Sequence, residues 1–164
     1  MRIPTLLLST LLLAASCGGS SDPAELVSSG DKALGSMDFA GALTSYEAAL
    51  TAIGDDTAHP QYFAAKIGEI EARATTDAAK AKDDLIQLSE SGAAVTDRHF
   101  AAVAERMGDA GKFEEAIALL DKGLKLHADS THLDKLGKKL ADDAKKSGDS
   151  GALDALAGLG YVGD

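Results

Sequence analysis

Two patterns of apolar residues divide the chain. Residues 5–15, TLLLSTLLLAA, form an apolar run without a charge. From residue 23 onward, apolar residues instead recur every three or four positions, which places one apolar stripe along an α-helix. This second pattern predicts helices over 23–34, 37–53, 59–73, 76–90, 97–111, 111–127, 130–146 and 150–159. Start signals agree with it. Asp22 stands where an N-cap belongs, Pro23 at the first helical position and Glu25 at the third, a capping-box arrangement. Thr96 is a second capping residue, and Gly111 punctuates the end of the stretch that follows it. Alanine and leucine carry most of the apolar content, while aromatics make up only 4% and tryptophan is absent. Both favour helices over sheets, so an all-α fold is expected.

The N-terminal run has another purpose. It is too short for a membrane span, which needs roughly 20 apolar residues, and suits the core of a secretory signal. Arg2 precedes it, and the small residues Ala14, Ala15 and Ser16 lead directly to Cys17, the only cysteine. Leu13-Ala14-Ala15-Ser16-Cys17 resembles a bacterial lipobox. The commonest form has leucine three residues before the cysteine, whereas here Ala14 holds that place and Leu13 lies one further back. The resemblance implies that Cys17 is lipidated and that cleavage before it makes it the first mature residue. The plainer alternative is a cleaved signal peptide with an incidental cysteine. Each buried acyl CH₂ contributes about 0.8 kcal/mol, so the two or three chains of such a lipoprotein would hold firmly. One cysteine leaves no intramolecular disulfide, and stability must come from packing. The expected organisation is a signal peptide over 1–16, a lipidated cysteine and tether over 17–21, a helical repeat domain over 22–160 and a tail over 161–164. Fully extended, the GGSS tether spans on the order of 15 Å, which keeps the body near the bilayer. In the Gram-negative sorting scheme, aspartate after the cysteine retains a lipoprotein at the inner membrane. Gly18 stands there instead, implying the outer membrane, facing the periplasm, in such a host.

Two stretches of the body repeat one another. MDFAGALTSYEAALTAI (37–53) and GKFEEAIALLDKGLKLH (111–127) align with Phe39 on Phe113, Ala42 on Ala116, Tyr46 on Leu120 and Leu50 on Leu124. Each follows another helical stretch, so helix, tight turn and helix recur. The pattern resembles the tetratricopeptide repeat, a 34-residue helix pair. Leu26, Gly30, Ala42, Tyr46 and Ala49 match its anchors in the first unit, and Phe100, Val103, Ala104, Met107, Ala116, Leu120 and Gly123 in the third. Ile67-Gly68 and Leu133, Leu136, Gly137 and Leu140 match the first helix of the second and fourth units. Ser29 replaces a leucine, Gly54 and Ala128 replace the closing proline, and 76–90 has no clear phenylalanine equivalent. The resemblance implies a short α-solenoid of about four helix pairs over roughly 23–160. An irregular bundle of the same helices is the alternative. Leu156, Leu159, Tyr161 and Val162 of the closing LAGLGYVGD would cover the last apolar edge.

The same resemblance implies a groove, lined by the first helix of each pair, that binds a peptide or a partner helix. By alignment its positions are Val27, Asp31, Tyr62, Glu69, Arg73, Arg98, Ala101, Glu105, Asp134 and Lys138. Chaperone-tail binders of the family clamp a C-terminal carboxylate with lysine and asparagine. Val27 and Asp31 occupy the corresponding first-repeat places, so that clamp is missing, and a basic or amphipathic partner segment fits better.

Charge narrows the partner further. The full chain carries −10; without residues 1–16 it has 15 basic and 26 acidic residues, net −11. Residues 22–60 hold Asp22, Glu25, Asp31, Asp38, Glu47, Asp55 and Asp56 against Lys32 alone. Nucleic acid is excluded as a partner, because its binders need a basic stripe. The body is also not expected to lie on anionic lipid, so membrane contact is through the anchor only. Lys135, Lys138, Lys139, Lys145 and Lys146 alternate with Asp134, Asp142 and Asp143, which reads as paired surface charge.

No enzyme is expected. There is no Gly-rich phosphate loop and no Gly-x-Ser-x-Gly elbow, and adjacent Asp83-Asp84 and Asp142-Asp143 diverge on a helix. His127, Asp129 and His132 lie close in sequence but at a predicted turn, which suits neither a metal nor its supporting shell. No cofactor is expected. The function expected is that of a lipid-anchored envelope scaffold binding another protein. The alternative is a structural envelope protein that self-associates through its solenoid ends.

Overall fold

The computed structural model describes residues 22–163; the predicted signal segment, Cys17 and the tether lie outside the described residues. Within them there are eight α-helices and no strand: α1 Pro23–Gly35, α2 Phe39–Ile53, α3 Tyr62–Arg73, α4 Ala78–Glu90, α5 Asp97–Asp109, α6 Phe113–Leu126, α7 Thr131–Ser147 and α8 Ser150–Gly158. Side chains cap most of their starts. Asp22, Asp38, Asp77 and Asp149 accept from the backbone N–H groups of Ala24, Gly41, Lys80 and Ala152, and Ser130 accepts from Leu133. At α5, His99 reaches back, its Nδ1 accepting the Thr96 N–H at 3.0 Å. The third helix begins at Tyr62 rather than at 59. Pro60 has no N–H, and His59 Nδ1 accepts from Gln61 N–H at 3.1 Å, which holds the entry as a turn.

The helices pair in sequence order as a short α-solenoid of four hairpins. The first helices, α1, α3, α5 and α7, pack side by side in that order. Of the second helices, α4, α6 and α8 do the same, but α2 and α4 do not pack together. The core divides accordingly. One cluster holds Val27, Leu34, Ala42, Tyr46 and Ala49 of the first hairpin with Ala65 and Ala72 of α3. The other runs from Ile70 through Phe100, Met107, Leu120 and Leu140 to Leu156.

Small residues set the spacing. Tyr46, fully buried on α2, lies between the backbones of α1 and α3. A methyl group at Gly30 would stand 2.6 Å from its ring, and one at Gly68 closer still. The ring thus fills the space that two side chains would otherwise occupy. Its hydroxyl donates to Asp31 Oδ1 at 2.6 Å. Burial, and then that bond to a carboxylate, push its ionisation far above the usual tyrosine range. At the other end, the chain turns back after α8 so that Tyr161 lies on Gly137 of α7. Leu159 and Tyr161 pack against the core there with buried Leu156, whereas Val162, expected with them, is exposed.

Candidate partner-binding face

The ten positions aligned to a groove do not share one surface. Val27 belongs to the core of the first hairpin, with 6% of its surface exposed, because its neighbours at helical spacing, Gly30 and Leu34, are buried with it. It is corrected from groove to core. Asp31 is exposed beside it and holds the Tyr46 hydroxyl.

Tyr62, Glu69 and Arg73 share one stripe of α3 with Lys66, and this stripe looks toward α2 and α4. Glu69 is buried and accepts from Lys66 Nζ at 2.7 Å and from Arg73. Arg73 also donates to Glu47 of α2 at 2.9 Å. Lys66 lies 3.9 Å from Asp84 of α4, which in turn binds Lys80 at 3.0 Å. These six side chains form a polar seam from α2 across α3 to α4. Beside it the second hairpin closes on apolar side chains, with Ile70 of α3 and Ala78, Ala81 and Leu85 of α4 in one buried cluster. Glu69 and Arg73 are therefore internal structural charges, already paired. Tyr62 lies at the mouth of a cleft of about 610 Å³ with Phe63, Leu88 and Ala93.

Of the remaining five, Ala101 and Glu105 line one cleft, whereas Asp134 and Lys138 lie on the flank of α7 beside Tyr161. Arg98, Ala101 and Glu105 lie on α5, and Asp134 and Lys138 on α7, the next helix of the same row. Between the two helices is a cleft of about 220 Å³ lined by Ala101, Glu105, His132, Lys135, Leu136 and Lys139. Lys139 bonds Asp109 and Asp143 and comes within 3.8 Å of Glu105, and Lys138 bonds Asp134 at 2.7 Å, which raises the Lys138 ammonium above its ordinary value. Arg98 and Lys135 enter no ion pair among the described residues. The face is a lattice of mixed charge over a small apolar floor, suited to a polar or amphipathic polypeptide rather than to a small molecule. The lining residues His132, Lys135, Leu136 and Lys139 were missed because alignment follows one position per turn, whereas a cleft between two helices draws on both flanks.

The histidines do not converge. His132 meets Asp97 at 3.1 Å, beside the Ser130 hydroxyl that donates to the same carboxylate oxygen at 2.6 Å. Those bonds hold the Asp97 carboxyl below its usual range, the Ser130 hydroxyl first. His127 turns instead to the ring of Phe100, 6.1 Å away. Among the described residues, no group of three His, Cys, Asp or Glu could hold a metal ion, and no helix is long and apolar enough to cross a membrane.

No protein-family model, curated protein or solved structure matches this chain.

Proposed function

We propose that the protein is a tetratricopeptide-like scaffold, anchored to a bacterial envelope membrane through lipid on Cys17, that holds another protein against the α5–α7 face. The observation that carries this reading is the repeated use of small residues to stack helix hairpins into a row. Gly30 and Gly68 around Tyr46 are the clearest case. Such a row offers a long surface without needing a reactive centre. The charges on that surface are exposed or half-exposed, and Arg98 and Lys135 are left for a partner. The self-associating alternative is weakened by the C-terminal end, where Tyr161 and Leu159 already cover the position a further hairpin would need.

The test is photo-crosslinking in cells from positions Arg98 and Lys135. The expected product is an adduct with one other protein, and its loss in Arg98→Glu. Adducts of the chain with itself alone would replace the scaffold with the structural role. The anchor is tested separately: Cys17→Ser should move the protein from the membrane to the soluble fraction. Retention of that variant would remove the lipid from the proposal.

A further inference from the structure

The start of α5 is closed by a histidine. Three residues after an N-cap the chain ordinarily carries glutamate or glutamine, whose side chain accepts the N-cap N–H. Here the acceptor is an imidazole nitrogen: His99 Nδ1 takes the Thr96 N–H at 3.0 Å. That bond assigns the neutral ring its proton on Nε2. A carboxylate or an amide keeps such an acceptor throughout the neutral range, whereas an imidazole loses it on protonation. A proton on Nδ1 would face the Thr96 N–H donor to donor. The Thr96 hydroxyl oxygen, 3.2 Å from the same nitrogen, can receive the new N–H but does not replace the lost acceptor.

The surroundings decide what gives way. The ring is half-buried and T-shaped to Phe63 of α3, with centroids 5.5 Å apart. It also lies in the first turn of α5, where the free backbone N–H groups oppose positive charge. Burial lowers the ring below its ordinary value, against the pull of Glu71 of α3 and Asp97 of α5. Both carboxylates are engaged elsewhere, Glu71 by Arg106, and Asp97 by Ser130 and His132 at the start of α7. From α4 and α6, Glu90 and Lys122 reach this edge already bonded to each other at 2.7 Å, and His127 turns to Phe100. The element least held is the connection between α4 and α5, residues 91–96. Gly92, at φ +84°, supplies its bend, Ala93 and Val95 are its contacts with the core, and the Thr96 N–H ties its far end. Residues Ser91, Gly92, Ala93 and Ala94 line the cleft of about 610 Å³ together with Phe63 and Leu88, and no charged side chain lines it.

We propose that His99 is an acid-operated latch: a proton on Nδ1 releases residues 91–96 and uncovers the apolar side chains of Phe63 and Leu88. The inference needs neither the anchor nor a partner, so it stands apart from the scaffold reading. The closed form resists the proton and the open form titrates as an ordinary histidine. The latch is therefore shut above about pH 6.5 and opens as pH falls below it, by up to about tenfold per pH unit.

The test follows two signals of the intact protein between about pH 7.5 and about pH 5: hydrogen exchange of the Thr96 amide, corrected for its intrinsic rate, and fluorescence of the dye ANS, which reports exposed apolar surface. Both should rise together below about pH 6.5, while amides of α1 and α2 keep their protection. His99→Gln restores an ordinary Thr-x-x-Gln capping box and should make both signals flat with pH. His127→Gln and His132→Gln should leave the transition where it is. A Thr96 amide indifferent to pH in the wild-type protein would overturn the latch, as would a transition that persists in His99→Gln or vanishes in His132→Gln. So would opening of α1 and α2 in step with Thr96, which would mean unfolding of the whole body rather than of this connection.

Discussion

Replacing Gly68 by alanine separates the stacking argument from ordinary helix preference. In an exposed helix interior, glycine to alanine stabilises by about 1 kcal/mol. At Gly68 the new methyl would overlap the Tyr46 ring, which cannot retreat, because Gly30 backs it from the other side. The ring or α3 must shift. Overpacking of this kind costs about 1–3 kcal/mol. Movement of the ring also strains the Tyr46–Asp31 hydrogen bond, worth about 1 kcal/mol. Overpacking and hydrogen-bond strain together exceed the propensity gain, so Gly68→Ala should destabilise by about 2 kcal/mol. For a folded body of this size that lowers Tm by roughly 6 °C. The control is Gly35→Ala, whose methyl meets nothing within 4 Å and should leave Tm within about 2 °C. Thermal unfolding followed by circular dichroism reads both. Because the first hairpin has its own core cluster, amide exchange in α1 and α2 should report the loss most strongly. A Gly68→Ala protein that melts at or above the wild-type temperature would refute the tyrosine wedge, and with it the account of how the hairpins are spaced.

Three further outcomes follow from particular contacts. Burial lowers the His99 ring below its ordinary value, against the opposing pull of Glu71 and Asp97, and its Nδ1 must stay unprotonated to accept from Thr96. The unfolded chain then takes up a proton near pH 6.5 that the fold resists, so this stability is complete above that pH and declines as pH falls below it. Melting at about pH 7.5 and about pH 5.5 should show the decline, and His99→Gln should flatten it; an unchanged slope would remove His99 as its source. Glu69→Ala leaves Lys66 and the half-buried Arg73 without their shared acceptor. With Glu47 and Asp84 still available, it should cost about 2 kcal/mol in urea unfolding, less than a wholly buried pair, and Glu69→Gln should cost less; wild-type stability in Glu69→Ala would mean the seam is idle. Ala116→Leu, at a fully buried position on α6, should cost about 1–3 kcal/mol, and an unchanged midpoint would contradict the packing of α6.

The helices were legible because their signals are local. Apolar spacing and the Asp22 and Thr96 caps act within a few residues, and each recurs in the fold. The surface was less legible because the direction of a helix face is a tertiary property. Glu69 and Arg73 align with outward positions and carry charge, so they read as a solvent face. Glu69 is buried because Lys66 and Arg73 of its own helix supply the opposite charge, and those two are held in turn by Asp84 and Glu47, distant in sequence. Counted from the cap Asp77, the place that Tyr46 holds after Asp38 falls in α4 on Leu85, which is buried in the core. Met37 was illegible for a different reason. A left-handed turn announces itself through glycine, and methionine in that place gives no signal until the backbone is seen. The two cases differ in what answers the departure from the local rule: Met37 is exposed with no gain in packing, whereas the buried charge of Glu69 is answered by Arg73 and Lys66.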